Sequence, residues 1–135
     1  MNLFELEMEV RDYECDLQGI VNNANYQHYL EHARHCFLHT LGLDFAQLHQ
    51  EGLDAVATRI EMDFRQPLRP GDRFIVQVSA RPEGRLRLLF EQSMVHVETR
   101  TKILDAKVFA VLLENGRPVP PKIFSEALAK WNQTS

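Results

Sequence analysis

A single helical period set between strand periods is the feature that most restricts this chain. Tyr26, Tyr29, Leu30, Ala33, Phe37 and Leu41 recur at steps of three and four, the apolar stripe of an amphipathic helix that begins near Asn25. Ahead of it, Phe4, Leu6, Met8 and Val10 alternate with Glu5, Glu7, Glu9 and Arg11, the period of a half-buried strand. Behind it the period returns to two: Val56, Thr58, Ile60, Met62 and Phe64 face one way, and Ala57, Arg59, Glu61, Asp63 and Arg65 the other. Further strands follow in RFIVQVSAR, RLRLLFEQSMVHVE and KILDAKVFAVLLE, set off by turns at Pro70-Gly71, PEG and TRT. Turns that short join antiparallel neighbours. A helix of roughly 16 residues is about 24 Å long, and a curved antiparallel sheet wrapped around it is the economical way to bury its stripe. The predicted architecture is therefore α+β, a curved sheet of about five strands around one long central helix, in a single domain over residues 1–135. Gly42 fits the left-handed position that ends the helix, and DFAQLHQEG fits a short second helix. Asn115-Gly116 ends the last long strand, and the tail GRPVPPKIFSEALAKW closes on a terminal helix. One sheet around one helix leaves edge strands open, which predicts a homodimer or homotetramer.

Composition narrows the classes of function. With 44% apolar and 25% charged residues over 135 positions, the chain has the make-up of a globular domain that needs neither disulfide nor metal to fold. Its formal charge of −4 argues against nucleic acid as a partner, because phosphate binding wants a basic surface. No apolar run approaches the roughly 18 residues of a membrane span. MNLFELEMEV also lacks the basic start and apolar block of a signal peptide. Two cysteines, Cys15 and Cys36, are too few for a disulfide framework, so reduced thiols in the cytoplasm are expected. The chain has no glycine-rich phosphate loop, which sets aside NTPase and Rossmann chemistry.

The stretch YECDLQGIVNNANYQHYLE, residues 13–31, carries the chemistry. Asp16 and Gly19 precede Asn22, Asn23 and Asn25, each of a type that caps helices. A helix start offers unpaired N–H groups and a partial positive charge, a place for a polarised carbonyl with Asp16 beside it. The set Tyr13, Asp16, Gly19, Val21, Asn23, Tyr26, Tyr29, Glu31, Ala33 and Arg34, at these spacings, resembles the hotdog-fold acyl-CoA thioesterases of the 4-hydroxybenzoyl-CoA thioesterase type. DLQGIVNNANY is also similar to the Asp–x–x–x–x–Val–Asn–Asn stretch of acyl-carrier-protein thioesterases with the same fold. The strand order and the GRPVPP tail fit the family too, so the resemblance covers nearly the whole chain. It implies a hotdog domain that hydrolyses acyl-CoA without a metal or organic cofactor. It further implies Asp16 as nucleophile or general base, and the backbone N–H near Asn23 as the group that polarises the thioester carbonyl. Gly19, Val21, Asn22, Tyr26 and Glu31 would then lie against substrate. Many relatives carry an imidazole where this chain has Asn22-Asn23, which leaves the Asn23 amide to orient water or the carbonyl. The alternatives on the same fold are a protein that binds an acyl or aromatic ligand without turnover, and an acyl-carrier-protein thioesterase.

The remaining candidates weigh less. Coenzyme A phosphates want basic contacts; Arg59, Arg65 and Arg69 flank one turn and Arg81, Arg85 and Arg87 another, with Arg65 and Arg87 taken as the substrate contacts. Cys15 has no basic neighbour to lower its pKa and reads as a packing thiol. His28, His32, His35 and His39 form one stripe nearly opposite the apolar one. Paired imidazoles at this spacing can hold zinc, but a structural site wants four ligands, so a solvated or subunit-facing polar edge is the expected role. If that edge faces another subunit, assembly should weaken from about pH 8 to about pH 5.5 as the imidazoles charge. Sedimentation velocity across that range checks it, and an unchanged coefficient excludes the stripe from the interface.

Overall fold

The computed structural model describes residues 3–133. Strand β1, Phe4–Glu9, leads through a single 3-10 turn, Asp12–Glu14, to helix α1, Asn23–Thr40, and the short helix α2, Phe45–Gln50. Four long strands follow, β2 (Leu53–Phe64), β3 (Arg73–Glu83), β4 (Arg87–His96) and β5 (Lys102–Glu114), then β6 (Arg117–Val119) and helix α3, Lys122–Gln133. All strand pairs are antiparallel, in the order β1-β3-β4-β5-β2, with β6 on β5. β6 takes up β5 where β4 leaves off: β4 pairs as far as Val111, and β6 begins at Leu112. Asn115 and Gly116, both at positive φ, make that hairpin turn, so the Asn-Gly pair starts a sixth strand as well as ending the fifth.

α1 lies on one face of the sheet because its stripe is apolar and small where the two meet. Tyr26, Tyr29, Leu30, Ala33, Phe37 and Leu38 are buried, and Ala33 has no exposed surface at all. The facing sheet positions Phe74, Val76 and Val78 of β3 and Met94 of β4 are equally covered. The ring of Phe37 sits 5.5 Å from Phe4 and 5.8 Å from Trp131, so it ties β1 and α3 to the central helix. α1 begins two residues earlier than its apolar stripe requires, because the Asn22 side chain caps it by accepting from the Ala24 N–H at 2.9 Å. Gly42, at φ +85°, follows its last turn as expected. Asp44 caps α2 in the same manner as Asn22 caps α1, and His35 rests on Phe45 with ring centres 5.0 Å apart.

β2 departs from simple alternation. Ala57 pairs with Ala110 while Arg59 pairs with Phe109, which leaves Thr58 as the extra residue of a bulge whose hydroxyl donates to the Phe109 carbonyl. The bulge exchanges faces: Val56 stands opposite Val111, whereas Ile60, Met62 and Phe64 align with Val108, Ala106 and Leu104 on the α1 side. Val56 and Ile60 therefore do not share the face that unbroken alternation assigns them. β2 is also an edge strand, paired only with β5, and Val56, Ile60 and Phe64 remain 40–47% exposed. No helix among the described residues is long and apolar enough to cross a membrane.

Gly52 joins α2 to β2 at φ +82°, and its carbonyl accepts from the Asn115 N–H at 2.8 Å. A side chain there would be strained and would also collide with the Asn115 side chain. Gly52→Ala should lose roughly 1–3 kcal/mol, a melting temperature lower by roughly 5–10 °C. Gly84→Ala, at φ +64° with open space around it, should lose less. Thermal melts followed by circular dichroism check the order, and equal losses would contradict the contact argument.

Candidate active site

The chain between β1 and α1 is folded back on itself by its own backbone. An antiparallel bridge between Cys15 and Val21 pinches off a tight loop. Within it the Asp16 N–H donates to the Ile20 carbonyl at 2.9 Å, and the Gly19 N–H to the Asp16 carbonyl at 3.0 Å. Gly19 takes φ +76°, which the turn requires. One carboxylate oxygen of Asp16 accepts from the Gln18 N–H at 2.8 Å, which fixes the side chain in a small Asx turn while the residue stays exposed. Asp16 is thus an anchored acid in contact with water.

The loop delivers the chain directly into α1. The Val21 N–H donates to the Leu68 carbonyl at 2.9 Å, and the Asn22 N–H to the Glu14 carbonyl at 3.2 Å. The three asparagines then divide. Asn22 caps the helix, Asn25 reaches back through Nδ2 to the Glu14 carbonyl at 2.7 Å, and Asn23, first residue of the helix, lines an open groove. Its N–H belongs to the first turn, where backbone donors have no partner within the helix.

That groove has a volume of about 340 Å³. Ile20, Val21, Asn23 and Tyr26 form one wall, and the segment from Phe64 to Pro67 the other. The rings of Tyr26 and Phe64 meet edge to face at 5.3 Å, and the Tyr26 hydroxyl accepts from the Leu68 N–H at 3.0 Å. Burial pushes the Tyr26 phenol up, the Leu68 donor opposing it, so Tyr26 is neutral at physiological pH. Arg65 stands at the groove and spends its guanidinium on Asp105, at 3.2 Å.

Four expected substrate contacts do not line this groove: Gly19 and Asn22 belong to the loop and the helix cap beside it, and Arg87 and Glu31 lie elsewhere. Arg87 pairs with Glu83 at 3.2 Å and lies over the Phe109 ring at 4.8 Å. It stands opposite Val111 of β5, whereas Phe64 at the groove stands opposite Leu104, about 23 Å away along the strand. Glu31 is exposed and lines a second groove of about 270 Å³, between α1 and β2, with Leu30, Arg34, Ala57 and Ile60. Beneath that groove the buried amide of Gln92 donates to the Leu30 carbonyl and accepts from Arg34 Nη1, both at 3.0 Å. Burial pulls the Arg34 guanidinium down, with the charge of Glu31 opposing.

Desolvation, then the carboxylates of Asp12, Asp16 and Glu14, push the Cys15 thiol up, which leaves it protonated and a poor nucleophile at neutral pH. His32 Nε2 is 3.6 Å from Cys36 Sγ, yet no group of three metal-binding side chains occurs among the described residues. Sequence reasoning missed Glu14 and, with it, the partner of Tyr29. Glu14 is only 7% exposed, and its Oε1 accepts from the Tyr29 hydroxyl and the Arg11 N–H, both at 2.8 Å. Desolvation, then that acceptor, push the Tyr29 phenol well above its ordinary value. A tyrosine in an otherwise apolar stripe was the available signal, since a buried hydroxyl needs a partner.

Comparison with known proteins places the fold and the family. Residues 10–131 match the family model of the Thioesterase-like superfamily. The chain is 38% identical over 116 residues to the Acyl-acyl carrier protein thioesterase ATL3, chloroplastic, of Arabidopsis thaliana, which covers 85% of this chain and 61% of that protein. It thus spans about three-fifths of the length of that plant relative. A protein of Aquifex aeolicus named Putative esterase is 30% identical over 126 residues, covering 93% of this chain and 97% of its own. Among solved structures, the 1,4-dihydroxy-2-naphthoyl-CoA thioesterase of Synechocystis superposes with a TM-score of 0.89 at 18% identity, over 97% of this chain and 98% of that one. The curved sheet around α1 is accordingly a hotdog fold, and the chain belongs to the thioesterase-like superfamily.

Proposed function

We propose that this chain hydrolyses acyl thioesters, coenzyme A esters first among them, in the groove beside the entrance of α1. One observation carries the reading: an anchored, exposed carboxylate, Asp16, sits on a loop that runs straight into a helix start whose first residue, Asn23, lines a groove. The thioester carbonyl would lie against the Asn23 N–H, where the helix start favours the oxyanion of the tetrahedral intermediate. Two routes fit the same geometry. Asp16 attacks the carbonyl carbon, the carbon–sulfur bond breaks, the thiolate leaves, and water then cleaves the mixed anhydride. Otherwise Asp16 takes a proton from water as that water attacks, and the thiolate leaves in the same way. The Asn23 amide orients the carbonyl or the water. Gly19 shapes the loop, Asn22 caps the helix at the groove, and Val21 and Tyr26 line its wall. Arg65, held by Asp105 through Nε and Nη2, would turn its remaining donor at the lip of the groove to the phosphates of coenzyme A. Acyl-carrier protein is the second thioester donor, favoured by the name of the Arabidopsis relative. Two unpaired thiols, Cys15 and Cys36, fit a reducing compartment such as the cytoplasm.

The working unit in this reading is at least a dimer. β2 has 12 residues and a single partner strand, and it leaves apolar Val56, Ile60 and Phe64 exposed beside a groove floored by Leu30 and Ile60. A second copy pairing β2 against β2 in antiparallel fashion would satisfy the open edge and cover those side chains by one symmetric contact.

Thiol release from short, long and aromatic acyl-CoAs, and from acyl-carrier-protein esters, tests the site. Asp16→Asn should lower the rate at least about 100-fold. Coincident wild-type and mutant rates would falsify the role of Asp16, and binding without turnover by the wild type would mark a ligand-binding protein. Ile60→Asp should shift the protein towards monomer in sedimentation velocity, because it places a charge in the proposed apolar contact. An unchanged oligomer would remove β2 from the interface.

A further inference from the structure

Asp16 and Asn23 belong to different elements, and the loop between them, residues 16–20, is mostly exposed. Something outside that loop has to fix the acid relative to the helix start. Glu14, two residues ahead of Asp16, meets the need. Five donors converge on it. Its Oε1 accepts from Tyr29 Oη and the Arg11 N–H, each at 2.8 Å, and its Oε2 accepts from Arg11 Nη2 at 3.3 Å. Its carbonyl accepts from the Asn22 N–H at 3.2 Å and from Asn25 Nδ2 at 2.7 Å. Three of these donors, from Asn22, Asn25 and Tyr29, belong to α1 or its cap, so Glu14 binds the strand side of the loop to the first two turns of the helix.

The arrangement is expensive for a purely structural contact. A buried carboxylate must recover a desolvation cost, and an apolar pair of like volume would hold the same place at less expense. Tyr29 is otherwise a core residue, its ring 4.9 Å from Phe74, and a phenylalanine would make the same stack. What the polar pair adds is direction: a hydroxyl–carboxylate bond fixes register where apolar packing tolerates sliding. Both carboxylate oxygens of Glu14 accept from donors in a nearly closed site, an arrangement suited to holding the loop and not to serving as a base.

We propose that Glu14, through its hydrogen bond from Tyr29, is the positioning residue that holds Asp16 in register with the Asn23 end of α1. This rests on the thioesterase reading above and deepens it. Because the working atom is Oε1 as an acceptor, Glu14→Gln keeps its two bonds and should retain a kcat within about threefold of wild type. Glu14→Ala and Tyr29→Phe remove the Tyr29 bond and should lower kcat by about 10- to 100-fold, with KM within about threefold, the pattern of a misplaced reacting group. In an Asp16→Asn background, Tyr29→Phe should cost nothing further, since its effect passes through Asp16.

Hydrogen–deuterium exchange of the full chain supplies a readout that needs no substrate. Amides of residues 15–23 should exchange faster in Glu14→Ala and Tyr29→Phe and at the wild-type rate in Glu14→Gln. If Glu14→Ala fails to fold, Tyr29→Phe carries both measurements. Glutamine as damaging as alanine would make the charge of Glu14 the active feature and overturn the proposal. So would wild-type kcat in Tyr29→Phe, or unchanged exchange in the 15–23 segment. Failure of the thioesterase reading shows separately, as no thiol release by the wild type on any of these thioesters while the exchange results stand.

Discussion

The close seat of α1 on the sheet governs everything else in this molecule. Ala33 has no exposed surface, and neither do Phe74, Val76 and Val78 on the strand beneath. A methyl group at the point of contact lets the helix approach closely, and the larger rings of Tyr26, Tyr29 and Phe37 fill the space around it. Phe37 alone, wedged between Phe4 and Trp131, is a side chain whose truncation to alanine would cost about 3–5 kcal/mol. With the middle of the helix fixed in this way, its first turn has a fixed place, and the polar loop ahead of it can be built to matching precision.

The same seat leaves one side of the sheet unfinished. α1 covers β3 and β1, and the far edge strand, β2, keeps its inner residues Ile60 and Phe64 only partly covered. The two grooves follow from this offset. One lies at the helix start, where Tyr26 and Phe64 meet, and the other lies alongside the helix, where Leu30 and Ile60 face each other across Arg34. A sheet that fully enclosed its helix would have no room for a ligand at either place. The incomplete core of one chain is therefore also the source of its two grooves, and the proposed second copy on β2 would turn an exposed apolar strip into a wall.

Much of this was legible in the sequence, for reasons of period. The helix stripe, the left-handed Gly42, the short helix capped by Asp44 and the long antiparallel strands all obey local rules, and each stands where those rules put it. Thr58 was not legible as a bulge, because Ala57 and Thr58 suit either face of a strand and hide a one-residue slip. β6 was masked by Pro118, which speaks against a strand even though the Asn115-Gly116 turn speaks for a hairpin. Arg87 flanks a turn, and only the register of β4 on β5 tells which end of the sheet that turn occupies. Glu14 was hidden for a different reason. Its partners lie 3, 8, 11 and 15 residues away along the chain, and nothing local separates it from the neighbouring acids Asp12 and Asp16.

Those three acids show how one short stretch can divide its labour by hydrogen bonding alone. Glu14 is enclosed and saturated with donors, which makes it a fixed point. Asp12 is exposed at the start of the 3-10 turn, and its carbonyl accepts from the Cys15 N–H. Asp16 lies between these extremes: one oxygen is held by the Gln18 N–H, and the residue still faces water. A nucleophile or base needs that combination, since a free carboxylate would sample too many directions and a saturated one would have nothing to offer. Desolvation first, and then these same acids, push the adjoining Cys15 thiol up, which leaves it a poor nucleophile at neutral pH. The proposed chemistry is accordingly that of a carboxylate and not of a thiol, and the residues that set this difference stand side by side in the sequence.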